Sequence, residues 1–77
     1  MSDQQEALRA SIANANIVLN ARREILMARL TQFTALASMG AYKVTDDTRI
    51  LAQADLDLFL DATIDFHRRV REAGGVD

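Results

Sequence analysis

The chain contains no cysteine, no proline and no tryptophan, and only three glycines, one tyrosine and one histidine. Without cysteine there are no disulfides and no thiolate metal sites. Without proline nothing rigidly stops a helix, and with so few glycines no Gly-rich phosphate-cradling loop can be assembled. A single histidine leaves a histidine metal centre without a second ligand of its own kind. Long apolar runs are also missing: none approaches the roughly twenty residues that a membrane-spanning helix needs. The acidic N-terminus does not resemble a secretory leader, so the expected location is the cytoplasm or a virion-type particle made there. The formal net charge of −2 provides no general attraction to nucleic acid or anionic lipid, and neither is an expected partner.

What the chain does have is apolar residues in helical spacing. They make up 49% of its 77 residues, and from Gln4 to Met39 they are interspersed with good helix formers and no glycine. Ser2 and Gln5 stand at capping-box spacing, Asp3 and Glu6 suit the positive end of a helix dipole, and Gly40 supplies a stop. The spacing therefore predicts a long N-terminal helix over about 3–39, some 55–60 Å in length. At about 100° per residue, Leu8, Ile12, Ala15, Leu19, Leu26, Leu30, Phe33 and Ala37 fall in one stripe, with Val18, Ile25 and Leu36 beside it. A line of small residues, Ala10, Ala13, Ala21, Ala28 and Ala35, runs opposite. A helix apolar on so many sides is expected to be covered on more than one of them. An alternative reading breaks this rod at Asn14-Ala15-Asn16 to give a third helix, because asparagine weakens helices.

Tyr42 and Val44 favour extended backbone, so a connection from Gly40 to Thr45 is expected, with Tyr42-Lys43 as a polar loop cluster. Thr45, Asp46 and Asp47 are N-cap candidates for a short helical turn at 46–53, and Asp55 for a separate start. A shorter C-terminal helix over about 55–73 follows from the stripe Leu56, Phe59, Leu60, Thr63, Phe66, His67 and Val70, with Gly74-Gly75 as its stop. The fold class is thus an all-α, oligomeric helical hairpin with one domain, 1–77. The shorter second helix would pack Leu30 and Phe33 near Phe59, Phe66 or their neighbours. It would leave Leu8, Ile12, Ala15, Val18, Leu19 and Leu26 as the residues of an interface with other chains, since an uncovered patch of that size is unusual in a monomer.

No residue set reads as catalytic, cofactor-binding or metal-ligating. His67 shares its stripe with Phe66 and Val70 and reads as a core-edge or interface side chain. Asp57, Asp61 and Asp65 repeat every four residues, which could present carboxylates to a hard cation; Arg68 and Arg69 one turn on favour a solvated, ion-paired face instead. Arg22-Arg23 and Arg68-Arg69 lack the aromatic interleaving of a nucleic-acid module and are expected to pair with these carboxylates, within or between chains. The functional expectation is a non-enzymatic assembly or adaptor subunit of a larger protein complex, with a phage or virion component as its setting. The alternative is a small regulatory protein that sequesters a ligand or inhibits a partner, for example in phage–host conflict.

Overall fold

A computed structural model describes residues 3–74 and contains two antiparallel helices, α1 (Asp3–Ser38) and α2 (Tyr42–Glu72), with no strand among the described residues. Ser2, and with it the expected capping box, lies outside the described residues, as does Gly75. α1 passes through Asn14-Ala15-Asn16 without a break, so the three-helix reading does not hold. Its C-terminus closes in a Schellman motif: the Ala41 amide donates to the Leu36 carbonyl at 3.3 Å and the Gly40 amide to the Ala37 carbonyl at 3.1 Å. Gly40 takes φ +72°, a left-handed conformation in which a side chain is strained even though open space surrounds it.

The second helix differs from expectation. It begins at Tyr42 and runs unbroken for 31 residues, where a connection, a short turn at 46–53 and a separate helix from about 55 were expected. Thr45, Asp46, Asp47 and Asp55 consequently lie inside the helix and cap nothing; the N-cap position is Ala41, which makes no side-chain cap. The β-propensity of Tyr42, Val44 and the threonines is a weak preference, and no glycine or proline interrupts residues 42–73. The hydroxyls of Thr48 and Thr63 are absorbed by donating to the carbonyls four residues back, Val44 and Phe59, at 2.8 and 2.9 Å.

Burial reveals why the longer α2 fits. Among the shielded residues of α1, Leu8, Ile12, Ala15, Leu19, Arg22, Leu26, Arg29, Phe33 and Leu36 follow one another in alternating steps of four and three, and Ala41 with Thr45, Thr48, Ala52, Asp55, Phe59, Ala62, Phe66 and Arg69 of α2 does the same, with Ser11, Asn20, Thr63, Asp65 and Val70 flanking this line. This is the heptad pattern of a coiled coil. Ile12, Leu19, Leu26 and Phe33 occupy a positions facing Thr45, Ala52, Phe59 and Phe66 at a in the other helix. The d positions hold Ala15, Arg22 and Arg29 between Leu8 and Leu36 in α1, and Thr48, Asp55, Ala62 and Arg69 in α2, so most of the charged residues of the seam lie there. In an antiparallel pair the two a rows flank one edge of the seam and the two d rows the other. Arg29 crosses the d edge to donate through Nε to Asp55 Oδ2 at 2.9 Å, and donates through Nη1 to Gln32 at 3.1 Å.

The seam is thin. Among the described residues only Ala15, Leu26, Thr48 and Ala52 are buried, and no side chain of these residues is completely enclosed. The hairpin measures 59 × 18 × 15 Å with a radius of gyration of 17.1 Å, against about 11.5 Å for a compact domain of this length.

Two stability predictions follow from the seam. Asp55→Ala leaves Arg29 partly buried and unpaired and is expected to cost about 1–3 kcal/mol, whereas the paired replacement Arg29→Met with Asp55→Leu is expected to be neutral or stabilising. Equal midpoints for the wild type and Asp55→Ala in thermal unfolding would refute the pair's role. Thr45 Oγ1 is buried without a hydrogen-bond partner, so Thr45→Val, which keeps the shape, is expected to raise stability by about 1 kcal/mol in the same measurement.

Candidate functional site

The a edge and the d edge of the seam have opposite chemistry. On the d edge polar side chains satisfy one another: Arg29 with Asp55 and Gln32, Arg69 with Ser11 across the helices, and Asp65 with both Arg68 and Arg69. Nearby the g positions carry Val18, Ile25, Leu51 and Leu58, each more than two-fifths exposed. The a edge opens into a groove of about 340 Å3 lined by Leu26, Leu30, Phe33, Arg49, Ala52, Gln53 and Leu56. Its origin is a size mismatch: Ala52 stands in an a position where its α1 neighbours are Leu26 and Phe33, and the missing side-chain volume becomes the groove. A smaller groove of about 180 Å3 lies at the open end, where Ala73, just past the end of α2, meets Gln5, Leu8, Arg9 and Ile12 of α1.

The expected interface residues divide accordingly. Ala15 and Leu26 are buried within the hairpin and Leu8, Ile12 and Leu19 are half-buried, because α2 reaches back along the N-terminal half of α1; Val18 stays exposed. The expected bare patch on the N-terminal half is therefore reduced. Leu30 and Phe33 share their groove with Leu56, one turn before Phe59, and with Ala52, while Phe59 itself lies outside it. Leu56, Leu60 and His67 are exposed, while Phe59, Thr63, Phe66 and Val70 form the inner part of their stripe. Tyr42 and Lys43 belong to the first turn of α2, with Tyr42 exposed.

Among the charged candidates, Asp65 accepts from Arg68 at 2.5 Å and Arg69 at 2.8 Å, as the spacing implied. Arg22 and Arg23 form no ion pair within the chain among the described residues, and the cation that crosses the seam is Arg29. Sequence reasoning missed Arg29–Asp55, Arg49, Gln53 and Ala52. The four-three spacing could have found them had alanine, threonine and charged residues been admitted as seam positions. No group of three or more His, Asp or Glu residues among the described residues is placed to hold a metal ion, and no described helix is long and apolar enough to cross a membrane.

The hydrogen bonds from Arg68 and Arg69 hold the Asp65 carboxyl below its usual value of 3.8, and Arg68 is raised by the same contact. A carboxylate with a depressed folded-state value adds stability above its unfolded value, and that contribution disappears as pH falls through the folded one. The Asp65 contribution is thus present at neutral pH and lost below pH 3.8. In an NMR pH titration the Asp65 carboxyl is expected to have a midpoint below that of the free side chain, and Arg68→Ala with Arg69→Ala to return it to the ordinary value. An unshifted wild-type midpoint would show that the cluster does not persist in solution. Compared with known proteins, the chain matches no family model, no curated sequence and no solved structure.

Proposed function

We propose that the hairpin is a non-enzymatic assembly or adaptor subunit, which works by packing its outer helix faces against other protein chains in a larger complex, including one of the phage or virus-like kind. One observation carries this reading: the folded chain keeps far more accessible surface than a compact monomer of its size, with large apolar side chains across it. Its accessible surface is 5855 Å2 for 8.5 kDa, about 1,200 Å2 above that expected of a compact monomer of this mass. Fourteen large apolar side chains among the described residues are more than two-fifths exposed. They occur on both edges and, with Ile17, Ile50 and Ile64, on the back, so contacts on more than one side are favoured. A standard interface removes about 800 Å2 per partner, comparable to the excess.

The groove on the a edge favours a second reading, a small regulatory protein that takes up an apolar segment of a partner and blocks it. Both readings work by association, and neither assigns chemistry to a side chain.

Light scattering on the purified chain at micromolar concentration is expected to give a mass at least double 8.5 kDa. Added partner from the native source should then enlarge the particle if the hairpin is an assembly subunit. A monomer that unfolds in one sharp transition and captures nothing would overturn the reading.

A further inference from the structure

We draw no further inference here: the strongest candidate, the apolar groove that Leu30 and Leu56 flank on the a edge of the seam, is an unpartnered face, and nothing in the structure shows what covers it.

Discussion

Two helices in contact share one line, and each can bury only a single stripe along it. Every other property of this hairpin follows from that limit, because nearly half of the chain is apolar and the line of contact accommodates only part of it. The seam takes Ile12, Leu19, Leu26 and Phe33 from α1 and Phe59 and Phe66 from α2, and still encloses no described side chain completely. Ile17, Ile50 and Ile64 are left facing outward on the back, and Leu30, Leu56 and Leu60 on the groove face. Apolar surface of this extent is stabilised only by further contact.

The division of the seam into an apolar and a polar edge explains how so thin a core can still hold one register. Apolar packing alone fixes the register only weakly, since Ile12, Leu19, Leu26 and Phe33 recur at heptad spacing along α1. The Arg29–Asp55 pair can form in one alignment, and its cost in desolvation is moderated because the side chains remain 29% and 14% exposed. Arg69 and Ser11 repeat the device nearer the open end. With polar partners concentrated on the d edge, the a edge is left to shape alone, and a small residue at Ala52 is enough to open it.

The long α1 was legible because it rests on absences and on strong propensity: no proline, no glycine and many good helix formers between Gln4 and Met39. Asp65 with Arg68 and Arg69 was legible for a similar reason, since three- and four-residue spacing on one helix fixes the contact locally. The start of α2 was not, because Tyr42, Val44, Thr45 and Thr48 have modest preferences that the seam overrode, and small residues at Ala41, Thr48 and Ala52 hid the periodicity from a search for bulky ones. From that misplaced start followed the overestimated bare patch around Leu8 and Leu19. The groove and the Arg29–Asp55 pair depend on how the two helices align, which no single-helix pattern contains.

The tight turn at Met39-Gly40-Ala41 also orders events in time. Thr45 and Leu36, near the turn, are joined by a short stretch of chain, whereas Ser11 and Arg69 are separated by 58 residues. Closing the near layers first costs little loop entropy, and each later layer then adds only a short increment, since the previous one already holds the chains together. Such a hairpin closes like a zipper from the glycine outward, and the same gradient makes the end that carries Asp3 and Glu72 the first to fray.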